Sequence, residues 1–212
     1  MKYTDIAWDF DGALYDSYPH INADLQYVLR QFGLEASLEE INAQTRITQG
    51  HAFAYFAPLC GRSADEIKSA FKARKESYLS DLCQPYPGIP ELIREIAAAG
   101  MHNHICSNKA PENSKKYLDR DGLTPYFDVI GGVMPGIRRK PEPDMLKLVL
   151  RTRGIDGKQM LMVGDRLLDI EAGHNAGCDG CFFDPDRCNP RPDCAEYEAY
   201  TAAGLRKIIF GD

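Results

Sequence analysis

The sequence predicts an α/β protein, with a parallel sheet covered by helices on both faces and a helical bundle inserted after the first strand. A short apolar run near the N-terminus ends at two acids, Asp9 and Asp11. The stretch from Tyr18 to Leu82 has helical periodicity and few strand candidates. After Pro85, apolar segments alternate with amphipathic ones, which is typical of a parallel sheet with helical crossovers.

Residues 4–10 are predicted to form the first, buried strand. Within the insert, two sets of apolar residues have the spacing of a helix face: Ile21, Leu25, Val28 and Leu29, and then Ile67, Phe71, Tyr78 and Leu82. We therefore expect two domains. The core consists of residues 1–15 and 86–212, and the helical bundle of residues 16–85.

The second half of the chain is predicted to alternate between the two element types. Strands are expected at residues 102–106, 127–130, 160–163 and 180–183. Helices are expected from Ile89 to about Gly100, from Pro111 to Leu118, after Pro143, at about 167–176, and from Thr201 to Phe210.

Composition excludes several classes of protein. A net charge of −6 and the absence of a dense basic run argue against a nucleic-acid partner. No apolar run has transmembrane length, and acids interrupt the N-terminal region where a signal peptide would be apolar. We therefore expect a cytoplasmic protein without a membrane partner, either a monomer or a homodimer, whose seven cysteines are reduced thiols.

Four polar side chains stand at or just after the carboxyl ends of predicted strands. These are Asp9, Asp11, Ser107 and Asp165. Because the carboxyl ends of parallel strands meet at one edge of the sheet, we expect them to converge there, with Lys140 reaching the same crevice from a loop. Singly, each has an ordinary explanation as a helix cap, a turn residue or a solvated charge; together they indicate a site.

The two acids at the first strand suggest phosphoryl transfer. Asp9 is a candidate carboxylate nucleophile toward phosphorus, and Asp11 a candidate acid for the leaving oxygen and base for water. Mg²⁺ is the expected cofactor, held by Asp9, Asp165 and the backbone carbonyl of Asp11. Asp169 is expected to bind metal-bound water or to steady Lys140.

The phosphoryl oxygens that the metal does not contact need hydrogen-bond donors. We expect Ser107, Lys140 and the amide region of Gly12 to supply these donors. Arg46 in the helical insert is a candidate for binding a carboxylate or second phosphate of the substrate, although a solvated helix terminus explains it equally well. The four late cysteines, Cys178, Cys181, Cys188 and Cys194, match a zinc site poorly because only the first pair has suitable spacing.

The chain resembles the haloacid dehalogenase superfamily of phosphatases, in the branch with a helical cap inserted after the first strand. Four segments carry the resemblance, in the family's order: residues 9–17, 105–108, 140–143 and 164–169. It implies a Rossmann-like core, a mobile cap, Mg²⁺ dependence, and hydrolysis of a small phosphorylated metabolite through an aspartyl-phosphate, as in phosphoglycolate or sugar-phosphate phosphatases. Asn108, in the second segment, is expected at the substrate.

Two departures from the family pattern and two alternative functions stay open. Ala13 replaces a Thr or Val, and Arg166 replaces a small polar residue, so that a cation stands beside the metal site and pairs with Asp169 or with a substrate anion. A phosphosugar mutase resembling β-phosphoglucomutase is the main alternative to a phosphatase. A catalytically silent phospho-ligand-binding protein is the less favoured one, since every expected catalytic residue is present.

Overall fold

A computed structural model describes residues 2–211, and within it the chain forms two compact units. The core unit comprises Met1–Tyr15 and Pro85–Asp212, and the helical unit comprises Asp16–Gln84. Two short strands, β2 (Tyr15–Asp16) and β3 (Gln84–Pro85), pair with each other where the chain crosses from one unit to the other.

The core unit contains a six-stranded sheet in which every pairing is parallel. Its strands are β1 (Asp5–Trp8), β4 (His102–Cys106), β5 (Phe127–Gly131), β6 (Met160–Gly164), β7 (Asp179–Phe183) and β8 (Tyr197–Ala199). They are ordered β5-β4-β1-β6-β7-β8 across the sheet. From β1 the chain adds β4 and β5 on one side of β1, and then β6, β7 and β8 on the other side. The strand order thus reverses at β1, and open α/β sheets bind ligands at such switch points.

Helices cover both faces of this sheet. They are α5 (Ile89–Ala98), α6 (Pro111–Arg120), α7 (Asp144–Arg153), α8 (Leu167–Ala176) and α9 (Ala202–Phe210). Side chains alternate along β1 because successive residues of a strand point to opposite faces. Ala7 packs with Met145 and Val149 of α7, whereas the Trp8 indole donates to Asn103, whose carboxamide in turn donates to a carbonyl of α5.

The helical unit is built from four helices around its own apolar core. They are α1 (Tyr18–Gln31), α2 (Leu38–Ile47), α3 (Gln49–Phe56) and α4 (Ala64–Glu76). Hydroxyl side chains begin three of them: Ser37, Thr48 and Ser63 each accept a hydrogen bond from a first-turn N–H. The core includes Leu25, Leu29, Ile41, Phe56, Ile67 and Phe71.

The predicted fold class is confirmed, and three details differ. Helix α4 ends at Glu76, so Tyr78 and Leu82 do not continue its buried face and are 38% and 53% exposed. The edge strand β8 was missed because its three residues lie in a segment rich in Pro and Asp. Strands β2 and β3 are two residues each, too short for a periodic signal.

Among the described residues, no helix combines the length and the apolar character needed to cross a membrane.

A buried ionic cluster ties β1 to β4 and α7. Both Asp5 and His104 are fully buried, and Asp5 Oδ1 lies 2.8 Å from His104 Nε2 and accepts a hydrogen bond from Arg153 Nε at 2.9 Å. Burial alone would raise the pKa of Asp5, but hydrogen bonds from His104, Thr4 and Arg153 lower it to about 2. The carboxylate form is therefore stabilised by folding.

Replacing Asp5 by Asn is expected to lower the free energy of unfolding at pH 7 by about 3 kcal/mol, because it removes the buried carboxylate that the hydrogen bonds from His104, Thr4 and Arg153 stabilise. Since the folded pKa is depressed, the wild-type advantage is complete above about pH 4 and disappears as the pH falls toward 2. Urea unfolding at several pH values measures this. Asp128→Asn, at the exposed end of the same cluster, is the control and should cost under about 1 kcal/mol. A difference between wild type and Asp5→Asn that stays constant down to pH 2 would contradict this account.

Candidate active site

The carboxyl ends of the three central strands carry the polar side chains that the sequence singles out. Asp9 follows β1, Ser107 follows β4 and Asp165 follows β6. The registers Trp8↔Ile105 and Trp8↔Val163 place these ends side by side. All three residues are at most 2% exposed, so the site lies inside the edge of the sheet rather than on its surface.

Lys140 is the fully buried cation of this group. Its Nζ lies 2.8 Å from Asp9 Oδ1 and donates to Asp169 Oδ1 at 2.5 Å. Burial disfavours its ammonium form, but the two carboxylates outweigh this and raise the pKa of Lys140. One ammonium thus joins the end of the central strand to the first turn of α8.

Asp9, Asp165 and Asp169 form a cluster of buried carboxylates. Each offers one oxygen, and these oxygens lie within 4.8 Å of one another. Burial raises the pKa of Asp165 well above its usual range, and repulsion by Asp169 and Asp9 adds to this. A divalent cation would remove that repulsion, and an all-carboxylate donor set suits a hard cation. The residues therefore fit a metal site.

Arg166 faces two of these carboxylates. Its Nε lies 3.5 Å from Asp165 Oδ1 and its Nη2 lies 3.8 Å from Asp9 Oδ2. Asp169, in contrast, accepts a hydrogen bond from the main-chain N–H of Arg166 at 3.0 Å. Arg166 therefore contacts Asp169 through its main-chain N–H. Its guanidinium faces Asp165 and Asp9.

Asp11 is not one of the three clustered carboxylates. Its Oδ1 accepts a hydrogen bond from Lys109 Nζ at 2.7 Å, and the Lys109 side chain is 3% exposed. A metal contact through the Asp11 main-chain carbonyl stays a prediction. Lys109 was missed by the sequence analysis, although its place two residues after Ser107 at a strand end was a usable signal.

The expectation for Gly12 changes. Its φ of 89° is a conformation that glycine adopts readily, and it allows a sharp turn directly after β1. Its N–H, however, donates to the carbonyl of Tyr15 at 2.9 Å. This amide closes the turn after β1, and the role of the Gly12 region at a substrate stays a prediction.

Ser107 and Asn108 also have internal partners. The Ser107 hydroxyl accepts a hydrogen bond from the Lys109 N–H at 3.4 Å. The Asn108 carboxamide accepts from the Lys140 N–H at 2.9 Å and donates to the Lys140 carbonyl at 3.2 Å. Asn108 therefore fixes the main chain of Lys140; its contact with a substrate stays a prediction.

Asn189 is a second residue that the sequence analysis missed. Its Nδ2 donates to Asp165 Oδ2 at 3.3 Å, and its own N–H donates to the buried carboxylate of Asp184 at 2.7 Å. It lies in the loop after β7, where no motif pointed to it.

The helical unit holds Arg46 and His20. The Arg46 guanidinium carbon lies 3.6 Å from the centre of the Tyr18 ring, so the side chain is packed and partly buried rather than simply solvated. Its role at a substrate stays a prediction. His20 is fully buried, with Nδ1 3.5 Å from Asp24 and its ring edge-on to Tyr78, as expected of a packing histidine.

The late cysteines are all free thiols. Cys178 and Cys181 are buried, while Cys188 and Cys194 are exposed. Within the part of the chain that the structure describes, the three aspartates are the group of side chains arranged to hold a metal ion.

Comparison with known proteins identifies the family. Residues 6–183 match the sequence profile of the haloacid dehalogenase-like hydrolases. The chain belongs to this family. It is 31% identical to the N-acetylmuramic acid 6-phosphate phosphatase of Pseudomonas aeruginosa, over 84% of this chain and 80% of that one, and 33% identical to a phosphoglycolate phosphatase of Aquifex aeolicus, over 81% and 80%.

Solved structures of haloacid dehalogenase-like proteins share the fold. A protein described as a predicted phosphoglycolate phosphatase from Haemophilus somnus superposes with a TM-score of 0.86 at 21% identity, over 99% of both chains. A HAD-superfamily hydrolase of subfamily IA from Geobacter sulfurreducens gives 0.77 at 23% identity, over 99% of this chain and 96% of that one. The family and its named relatives make this haloacid dehalogenase-like chain a phosphatase, that is, a phosphoric monoester hydrolase.

Gly164, the last residue of β6, has no side chain because Asp169 occupies that space. A Cβ at this position would overlap the Asp169 side chain. We expect Mg²⁺ to raise the Tm of the wild type, and Gly164→Ala to displace Asp169, to loosen its pair with Lys140 and to abolish most of that rise. Differential scanning calorimetry with and without Mg²⁺ measures this.

Gly204→Ala is the matched control, since a Cβ there makes only ordinary contacts. A Gly164→Ala protein with an unchanged Mg²⁺-induced rise in Tm would show that the position of Asp169 does not matter to the metal.

Proposed function

We propose that this chain is a Mg²⁺-dependent phosphatase that hydrolyses a small phosphorylated metabolite through a phosphorylated Asp9. The observation that supports it best is the buried group formed by Asp9, Asp165, Asp169 and Lys140 at the carboxyl end of the central strands. Such a group has a carboxylate nucleophile, a cation beside it and a donor set for a divalent metal.

The charges in this group favour a divalent metal. Three carboxylates face two cations, Lys140 and Arg166. The net charge of these five groups is negative and would repel a phosphoryl dianion. One bound divalent cation would make the net charge positive. Asp9 and Asp165, with the carbonyl of Asp11, would hold Mg²⁺, and Asp169 would hold its water or steady Lys140. When bound, Mg²⁺ supplies charge neutralisation at the phosphoryl oxygens.

The chain's own residues carry out the chemistry. A carboxylate oxygen of Asp9 attacks phosphorus, and the bond to the leaving oxygen breaks as Asp11 gives that oxygen its proton. The product alcohol leaves Asp9 phosphorylated. Asp11, now a carboxylate, takes a proton from water, whose oxygen attacks the same phosphorus. Inorganic phosphate departs and Asp9 is regenerated. Ser107 and Lys140 steady the phosphoryl oxygens.

The first test is release of inorganic phosphate from a panel of phosphorylated metabolites, with Mg²⁺ and with EDTA. We expect Mg²⁺-dependent release that EDTA abolishes, and a loss of at least roughly 10³-fold in Asp9→Asn, whose amide is no nucleophile. The control is Asp119→Asn, an exposed acid of α6, which should keep full activity.

Two outcomes would overturn this function. Substantial turnover by pure Asp9→Asn would remove Asp9 as the nucleophile. Isomerisation of a sugar phosphate that needs a bisphosphate activator, without net phosphate release, would instead identify a mutase.

The substrate is proposed to be phosphoglycolate-like or sugar-phosphate-like, with a free carboxylate. The two relatives named above are phosphatases of phosphoglycolate and of N-acetylmuramic acid 6-phosphate, and both of these compounds are phosphate esters of a carboxylic acid. Arg46 is the proposed carboxylate partner. Its guanidinium lies over the Tyr18 ring, 3.6 Å from the ring centre, and a guanidinium matches a carboxylate with two parallel hydrogen bonds.

Matched substrates test this choice. We expect kcat/KM to be about 10- to 100-fold higher for phosphoglycolate than for 2-hydroxyethyl phosphate, which lacks the carboxylate, and Arg46→Met to erase the difference. Steady-state kinetics on both compounds measures it, with Arg62→Met, an exposed cation of the same unit, as the control. A preference that survives in Arg46→Met would exclude Arg46 as its source.

A further inference from the structure

Lys109 is a buried cation that none of the four motif segments contains. Its side chain is 3% exposed, and its Nζ donates to Asp11 Oδ1 at 2.7 Å. Burying an ammonium group removes its hydration, so a lysine in this position needs an oppositely charged partner to offset the loss of free energy. That partner is the carboxylate proposed as the acid and base of the reaction.

Aromatic rings hold the Lys109 ammonium from the other side. Its Nζ lies 4.3 Å from the centre of the Phe10 ring and 5.6 Å from that of Tyr117. The Phe10 ring is itself stacked on Tyr15, with centres 4.4 Å apart and planes 9° from parallel. Rings near an ammonium attract it electrostatically and restrict where it can move.

The main chain of Lys109 is fixed as well. Its N–H donates to the Ser107 hydroxyl at 3.4 Å, and its carbonyl accepts from the Val133 N–H at 3.0 Å. Gly132 allows this approach, because a Cβ there would overlap the Lys109 carbonyl. Lys109 therefore connects the turn after β1 to the turn after β4 and joins two proposed catalytic residues, Ser107 and Asp11.

We propose that Lys109 is a positioning residue that holds the Asp11 carboxyl group in the orientation from which it serves the leaving oxygen. This inference rests on the proposed function and adds a residue to it. Lys109 makes and breaks no covalent bond and transfers no proton. It acts through Asp11, and placing an acid within a fraction of an ångström is worth a large part of its catalytic effect.

The test compares two leaving groups in four proteins: wild type, Lys109→Met, Asp11→Asn and the double variant. An alkyl phosphate needs its leaving oxygen protonated, whereas p-nitrophenyl phosphate does not. The rate measured is that of Asp9 phosphorylation in a single turnover, because the later attack of water needs Asp11 as base with either substrate. We expect Lys109→Met to lower this rate roughly 100-fold on the alkyl phosphate but under about fivefold on the aryl phosphate, with the substrate concentration at half-maximal rate little changed. Asp11→Asn should show the same selectivity, and the double variant should lose little more than either single one, because the two residues act as a unit.

Two further proteins sharpen the comparison. Lys109→Arg keeps a cation that can pair with Asp11, so it should recover part of the rate of Asp9 phosphorylation by the alkyl phosphate. Lys115→Met removes a lysine from an exposed ion pair with Asp119 on α6 and should change nothing.

The outcomes separate this proposal from the proposed function. If Asp11→Asn shows the leaving-group selectivity and Lys109→Met loses activity equally on both substrates, or raises KM alone, Lys109 does not position Asp11 and the proposal is overturned while the phosphatase stands. Additive losses in the double variant overturn it as well.

If the wild type releases no phosphate from any compound, the proposed function fails. The Lys109–Asp11 contact is then measured by urea unfolding of the same four proteins. A double-mutant cycle without a coupling between the two residues would overturn the contact itself.

Discussion

The buried ammonium of Lys140 is the constraint on which the site depends. Three carboxylates lie at or beyond the ends of β1 and β6, in a place from which water is largely excluded. Without a cation among them, their mutual repulsion would oppose closure of the sheet edge. The Lys140 ammonium contacts Asp9 and Asp169 directly, and the main-chain N–H of Lys140 donates a hydrogen bond to Asn108. Asn108 thus helps to position Lys140, although the two residues are 32 apart in the sequence.

Pairing of buried charges recurs at two further ionic groups of the core unit. Lys109 is held by Asp11 and two rings, and Asp5 by His104 and Arg153. The Asp5 group lies at the amino end of β1, and the Asp9 group at its carboxyl end. Removing one member of such a pair costs more than the pair contributes, because the other charge stays buried. These positions therefore tolerate little change.

Much of the fold was predictable because its signals are local. The strands predicted at 102–106 and 160–163 end where the structure ends them, within a residue, since polar or glycine residues follow at once. The convergence of Asp9, Ser107 and Asp165 followed from the parallel topology alone. The exposure of Tyr78 and Leu82 was not predictable from spacing, because a helix-like pattern can continue past the residue at which the helix ends.

The parts of the site that sequence could not supply are contacts between distant segments. The pairing of Lys109 with Asp11 spans 98 residues and that of Asn189 with Asp165 spans 24, and neither follows from a motif. The use of the Gly12 amide within its own turn likewise depends on where the Tyr15 carbonyl comes to lie. Residue type indicated which groups were available, and only the folded chain shows which of them are already engaged.

The central claim is that Asp9 becomes phosphorylated during turnover. The most direct measurement is to quench the enzyme with acid during turnover of an aryl phosphate with Mg²⁺, to reduce it with borohydride, and to examine the peptides by mass spectrometry. An acyl phosphate is reduced to an alcohol, so the account predicts homoserine at position 9, dependent on both substrate and Mg²⁺. Conversion of a different aspartate, or rapid phosphate release with Asp9 never modified, would contradict it.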